Sequence, residues 1–332
     1  MRGRAQAADC RLACIVRLIW TWPHIPGHSV ESNCRAGHSE DYFGDYRDHW
    51  WNADFVQLMA SRLRWGAARN VLEVGSGAGH WARTIAPHLA SGAKLTCIDS
   101  DPKWADSQAS WPRMLEAQGL DVEIRRAAAQ AIPYPDAEFD FVTCQTLLIH
   151  IADPGAGISE MLRVLKPGGL LLCVEPDNFG TCAAASSLSD SSTLEEEAAA
   201  FKFNCARERG RKALGHGDAS LGGVLPGLLV AAGLKDVQVH LSDKAIPLFP
   251  PYSVPEQRAV LGDTETWFES AAEFDREQAH RFFVAGGGDP AEFEGHWARE
   301  LANRSRYLDA VREQRFHCAG GVLMYLVSGR KD

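Results

Sequence analysis

Asn70 to Trp81, reading NVLEVGSGAGHW, is the stretch whose reading decides the fold. Val71, Leu72 and Val74 form a short apolar run, the composition of a strand buried on both faces. Gly75, Gly77 and Gly79 follow, alternating with Ser76 and Ala78, and Trp81 to Leu89 can continue as a helix. Strand, glycine turn and helix make the entry to a nucleotide-type pocket. Glycines let the backbone approach a ligand closely, and a helix start offers unpaired N–H groups. A glycine turn alone also fits an unrelated α/β protein, so its details matter. Glu73 stands two residues before the first glycine. The third glycine of a dinucleotide fingerprint would fall at His80 and is missing. A carboxylate at position 73 is unhelpful beside a pyrophosphate and suits a ligand with a cationic amino group and hydroxyls.

Working outward, Lys94 to Ile98 (KLTCI) reads as a second strand ending at Asp99. An acid there can accept hydrogen bonds from both hydroxyls of a ribose. Ser100, Asp101 and Pro102 start the next helix, with Asp101 placed as an N-cap. Trp104 fits either an adenine face or surface packing. Asp121 to Arg125 reads as the third strand, Phe139 to Cys144 as the fourth, ending in Gln145, and Leu170 to Val174 as the fifth, followed by Glu175. Ile158, Met161, Leu162 and Leu165 repeat at helical spacing, and Lys166-Pro167-Gly168-Gly169 is expected to stop that helix through a left-handed glycine.

The glycine motif, of the form E-x-G-x-G-x-G after an apolar strand, resembles the first motif of the class I S-adenosylmethionine-dependent methyltransferases. QTLLIHIADP from Gln145 and RVLKPGGLLLCVEP from Arg163 are similar to later segments of the small-molecule members. The resemblance covers about Tyr42 to Asp177. It implies a Rossmann-like α/β fold: a seven-stranded, mostly parallel sheet with an antiparallel last strand and helices on both faces. It also implies S-adenosyl-L-methionine as cofactor and a small-molecule methyl acceptor. Under it, Glu73 with Gly75, Ser76, Gly77 and Gly79 holds the methionine part. Asp99, beside Ser100, binds the ribose, and Ala128, Ala129 and Gln130 flank the adenine. Gln145 faces the methionine end or the substrate. One departure is plain. Relatives commonly carry an acid where Ala128 stands, in G-D-A-x-x-L-P, and its loss costs on the order of 1 kcal/mol if water replaces it.

Pocket candidates are Tyr42, Tyr46, Leu147, His150 and Glu175, with His150 the first choice of general base because its unperturbed pKa lies near neutrality. His38, Tyr42 and Glu175 are weaker bases. Core packing fits the aromatic residues equally well, and internal hydrogen bonding fits His150. Methyl transfer to a small or medium organic acceptor is the expected activity. The alternatives are a catalytically inactive, cofactor-binding regulatory protein and an NAD-dependent reductase; Glu73 and the missing third glycine oppose the reductase.

The remaining chain frames this core. Residues 1–37 read as an N-terminal extension, 38–64 as an aromatic helical cap, 65–250 with 318–332 as the Rossmann-like core, and 251–317 as a helical insertion. That insertion is a lid, before a last strand at Val322 to Val327. Lys235 to Leu241 is the expected sixth strand, and Ser192 with Glu195 has capping-box spacing. Phe249, Trp267, Phe268, Phe282 and Phe283 fit apolar pocket walls or the lid's own core. The net charge of -9 gives no electrostatic case for nucleic acid as a partner. No apolar run reaches membrane-spanning length, so no membrane partner is expected. Cys97, Cys144 and Cys173 lie in strand-like runs and read as small buried hydrophobes. Cys10, Cys14 and Cys34 lack partners at metal-binding spacing, and no metal is expected. The cysteine pattern and a cytosolic cofactor make the cytoplasm the expected location. Oligomeric state is left open.

Overall fold

The computed structural model describes residues 44–105, 110–182, 185–270 and 274–332. Seven strands form one sheet: β1 (Asn70–Val74), β2 (Lys94–Asp99), β3 (Asp121–Arg126), β4 (Phe139–Gln145), β5 (Leu165–Pro176), β6 (Lys235–Leu241) and β7 (Met324–Arg330). Their order is β3-β2-β1-β4-β5-β7-β6. The pairs among β1 to β5 are parallel, and β7 runs antiparallel between β5 and β6. The apolar runs explain the centre: Val71, Leu72 and Val74 are buried, as are Phe141, Val142, Leu171, Leu172 and Val174. The more polar β3 and β6 take the two edges, where their alternating residues meet solvent. Cys97, Cys144 and Cys173 are buried free thiols, as expected.

The helices in chain order are α1 (Ala53–Leu63), α2 (His80–Ile85), α3 (Pro102–Ala105), α4 (Trp111–Ala117), α5 (Pro154–Val164), α6 (Asn178–Cys182), α7 (Leu194–Ala213) and α8 (Leu225–Ala231). Then come α9 (Pro255–Ser270), α10 (Phe274–Ala285) and α11 (Phe293–Arg312). Trp65 stacks on Phe141 of β4 at 5.9 Å, and the Trp81 indole donates to Thr143 Oγ1 at 2.9 Å, fixing α2 to the sheet.

Several boundaries differ from the sequence reading. The expected helix over 38–64 is, in its described part, a 3₁₀ turn at Gly44–His49 and α1, broken at 50–52 where Trp50 is buried. Helix α5 stops at Val164, because Leu165 is already extended and paired with Phe139 of β4. Pro167 keeps Lys166 extended, so Lys-Pro-Gly-Gly belongs to the start of β5. The capping box is formed by Thr193 and Glu196, one residue later than expected. The last strand likewise starts later, at Met324.

The helical cap is also larger than residues 251–317. Phe203 and Ala206 of α7 share a second apolar cluster with Ala279, Phe283, Phe293 and Trp297 of α10 and α11. Helix α7 therefore packs with the cap rather than with the sheet. Phe283 lies in the cap's own core. Helix α9 instead packs against the 44–49 turn. Among the described residues no helix is long and apolar enough to cross a membrane.

Candidate cofactor and acceptor site

The chain reverses its direction of winding between β1 and β4, and open α/β sheets bind their ligands outside the carboxyl ends of the strands at such a point. The glycine turn follows β1. Gly75 and Gly79 have φ of 74° and 77°, a conformation side chains rarely adopt. A Cβ on Gly75 would lie 2.6 Å from Leu147, and one on Gly79 would lie 2.5 Å from the Trp111 ring. Both glycines are thus required by space as well as by conformation. Trp111, rather than Trp104, is the indole against the turn; Trp104 has Lys103 over its ring at 4.5 Å.

Asp99 ends β2 and is almost fully buried. Its Oδ2 accepts from the Gly77 N–H and its Oδ1 from the Asp101 N–H, each at 2.9 Å. One carboxylate therefore ties the glycine turn to the β2–α3 turn. Asp101 in turn accepts from the Lys103 N–H at 2.9 Å, the expected capping contact. Glu73 is buried within β1, and the Cys97 thiol donates to its Oε2 at 3.6 Å. Burial, then the Glu73 charge, push the Cys97 thiol well above its usual range. Ser100 and Gln130 are exposed, Ala128 is half-buried and Ala129 is buried. Ala128 and Ala131 close a tight turn, with the Ala131 N–H donating to Ala128 O at 3.1 Å.

After β4 the chain makes a strained turn. Thr146, a β-branched residue, has φ of 48°. It is held by its N–H to Val174 O at 2.8 Å and by Arg47, which donates to its Oγ1 at 3.2 Å. Arg47 is itself buried, with Trp50 beneath its guanidinium. The neighbouring Asp48 binds His80 at 2.7 Å and Arg83 at 2.8 Å. The 44–49 turn thus bridges α2 and the end of β4. Tyr46 lies in the core, edge-on to Trp50, instead of lining an open pocket. Tyr42 and His38 fall outside the described residues, as do Cys10, Cys14 and Cys34.

Glu175 turns inward. Its Oε1 accepts from the Leu147 N–H at 3.0 Å and the Leu148 N–H at 2.7 Å, bracing the 147–150 turn. Burial pushes its carboxyl up to about 8, against the lowering effect of these backbone donors. His150 meets Arg211 of α7, whose guanidinium lies 3.4 Å from Nδ1 and also donates to Ile149 O at 3.3 Å. Arginine has no acceptor, so Nδ1 carries the lone pair and the ring proton sits on Nε2. The basic nitrogen of His150 is therefore engaged by Arg211, which runs against its use as a general base. Neither Arg47 nor Arg211 carries a sequence signal, because both reach the site from separate parts of the cover.

Two features of the site bear on the implied cofactor. Asp99 is fixed against the glycine turn, and Gln145 has a buried Nε2 with no hydrogen-bond partner.

Comparison with known proteins gives the same reading. Residues 72–173 match the methyltransferase domain family. A methyltransferase from Bacillus subtilis (strain 168), YcgJ, whose own role is uncharacterized, is 28% identical over 39% of this chain and 50% of its own. A demethylmenaquinone methyltransferase from Listeria monocytogenes serotype 4a is 31% identical over 38% of this chain and 50% of its own. The chain thus spans about half the length of the curated relatives it matches. The solved structure of YcgJ covers 84% of this chain and 99% of its own at 19% identity, with a TM-score of 0.46. Residues 72–173 are therefore similar to the methyltransferase domain family, and they span β1 to β5 of the sheet up to Cys173.

Proposed function

We propose that this protein transfers the methyl group of S-adenosylmethionine to a small or medium organic acceptor by in-line displacement. The observation that carries the reading is Asp99: a buried acid at the end of β2, locked to the glycine turn through the Gly77 N–H. That carboxylate retains lone pairs for the ribose hydroxyls. Ala129 and Gln130 border the adenine, Glu73 supports the amino-acid end beneath the turn, and Gln145 closes the methionine side. Bound S-adenosylmethionine supplies a methyl carbon made electrophilic by its sulfonium, whose departure needs no acid. The chain's task is then to align the acceptor and exclude water. The 44–49 turn and α9 supply the cover.

Calorimetry with S-adenosylmethionine and S-adenosylhomocysteine tests the reading. Both should bind. Binding of neither at high micromolar concentration rejects it. The engagement of His150 by Arg211 favours one second reading, a cofactor-binding protein without turnover. Formation of S-adenosylhomocysteine in proportion to an added acceptor would dispose of it.

A further inference from the structure

A cleft of about 960 Å³ lies at the opposite end of the sheet from the glycine turn. Its walls are the end of α1 with the turn that follows it, the starts of β4, β5 and β6, and the end of β7. Arg69 directly precedes β1, Asp140 is the second residue of β4, and Lys166 is the second of β5. The cleft therefore sits at the amino ends of these parallel strands, whereas the glycine turn and Asp99 lie at the carboxyl ends. Its volume is that of a small-molecule site.

Its charge is opposite in sign to that of the molecule. The chain carries a net charge of -9, yet Arg62, Arg64, Arg69, Lys166 and Arg330 all line this cleft. Two acids stand with them, Asp140 and Asp236. Asp140 is engaged within the fold. Its Oδ2 accepts from the Arg69 and Asn70 N–H groups, each at 2.9 Å, and its Oδ1 accepts from Lys166 Nζ at 2.7 Å. Asp236, exposed at the start of β6, is left to offset the four arginines.

None of those four has an acid partner among the described residues. Arg330 donates to Gly168 O at 3.2 Å and to Leu63 O at 3.1 Å, so its guanidinium bridges the 166–169 turn and the end of α1. Arg69 donates to Ser91 O at 2.9 Å. Carbonyl oxygens orient a guanidinium without neutralising it, and both groups keep unused donors out of five N–H each. Arg62 and Arg64 are exposed. A cleft lined by one sign of charge focuses its field and concentrates counter-ions. Guanidinium forks match phosphate oxygens in particular. Four of them on separate walls suit an anion with more than one phosphoryl group, because a single carboxylate would leave most of their charge unmatched.

We propose that this cleft is a second binding site, for a small molecule carrying a diphosphate group, held by Arg62, Arg64, Arg69 and Arg330. The site is independent of the methyl-transfer reading.

Calorimetry on the full chain tests it, at low ionic strength and with S-adenosylhomocysteine present. Inorganic pyrophosphate and uridine diphosphate are the probes, and succinate is the control. Both diphosphates should bind at submillimolar concentration, and succinate at least about tenfold more weakly. Tighter binding of uridine diphosphate would identify a diphosphate ester as the occupant, and equal binding the free anion; either supports the site. Arg64 caps α1 at φ 62° and ψ 45°, a conformation that glycine adopts freely, so Arg64→Gly removes the cation and keeps the backbone. Combined with Arg62→Gln, it should weaken both diphosphates by at least about tenfold without lowering the melting temperature. Arg62→Gln alone, at an exposed helix position, should show a smaller loss in the same direction. Arg299→Gln with Arg312→Gln removes the same charge from α11 and should leave diphosphate binding unaltered. The proposal is overturned if neither diphosphate binds, if succinate binds as well, if the cleft variants bind undiminished, or if the α11 variant loses as much. Single-stranded DNA that displaces pyrophosphate at an equal concentration of phosphate groups would overturn it in favour of a nucleic-acid surface. Absence of S-adenosylhomocysteine binding bears on the methyltransferase reading alone.

Discussion

Asp99 has one observed duty and one proposed duty, and Asp99→Ala removes both. Its carboxylate satisfies the Gly77 and Asp101 N–H groups, so Asp99→Ala should loosen the glycine turn as well as remove the proposed ribose contact. Hydrogen bonds to a charged group are each worth about 1.5–3 kcal/mol, so affinity for S-adenosylmethionine and S-adenosylhomocysteine should fall alike, by at least about tenfold. Unchanged calorimetric affinity would refute the ribose role. Glu175 makes a different prediction, in pH. Its folded pKa, about 8, lies above the ordinary value of 4.5. Between those values the unfolded chain has lost the proton and the folded chain keeps it, so unfolding releases a proton and stability falls as pH rises. Glu175→Gln keeps a neutral group and should flatten that fall, a gain on the order of a few kcal/mol at the top of the window. Melting temperatures across pH 5 to 8 would show it; parallel curves for the two proteins would mean that Glu175 ionises normally. At this scale the sequence was informative where a residue's partners are local. The glycines follow β1 and Asp99 ends β2, consecutive strands, so both could be read. The inward turn of Glu175 depends on N–H groups 27 and 28 positions away and could not.

Among the elements, the contact of α7 with α10 sets the shape of the cap. A Cβ on Gly210 would lie 1.7 Å from Phe282 O, and one on Gly286 would lie 1.7 Å from Ala206 O. The two backbones touch at both ends of the crossing, which lets Phe203 and Phe283 meet at 5.3 Å. Gly210→Ala cannot be absorbed by a rotamer change, because the opposing atom belongs to the main chain. It should destabilise the cap by about 1–3 kcal/mol, the usual cost of overpacking, while the sheet keeps its stability. Hydrogen exchange resolved by peptide should quicken over 194–213 and 274–285 and stay unchanged over 139–145. Equal acceleration everywhere would show that cap and sheet unfold as one unit. The strands were legible because continuous apolar runs fit little else of that length. The glycine contact was not, because it joins segments far apart in sequence, Gly210 inside α7 and Gly286 in the glycine turn that follows α10. The capping box shows a subtler limit. Ser192 with Glu195 and Thr193 with Glu196 satisfy the same spacing and both cap candidates are extended, so only the reciprocal bonds of Thr193 and Glu196, at 2.9 and 3.3 Å, choose between them.

For the whole molecule, the two ends of the site differ in origin. The cofactor end is built by consecutive strand–turn–helix units, whose order in the chain is their order in space, and it was largely readable. The proposed acceptor end draws on the 44–49 turn, the strained turn after β4 and α7, segments that only the completed fold brings together. Arg47 joins the first of these to Thr146, and Arg211 joins the last to Ile149 and His150, so the 146–150 turn is gripped from two sides by buried guanidinium groups. Such an arrangement couples the cover to the carboxyl ends of the strands. A ligand that binds only the folded state stabilises it by about 2.7 kcal/mol at a hundred times its dissociation constant. Here that gain should extend beyond β1 and β2. S-adenosylhomocysteine should slow amide exchange over 70–80 and 94–101, where it binds, and also over 44–50 and 146–150, which Arg47 and Asp48 link to that floor. Arg47→Met should retain the first protection and lose the second. Protection confined to the glycine turn and the end of β2 in the wild type would mean that the cover does not respond to the cofactor, and that water exclusion must come from the acceptor itself.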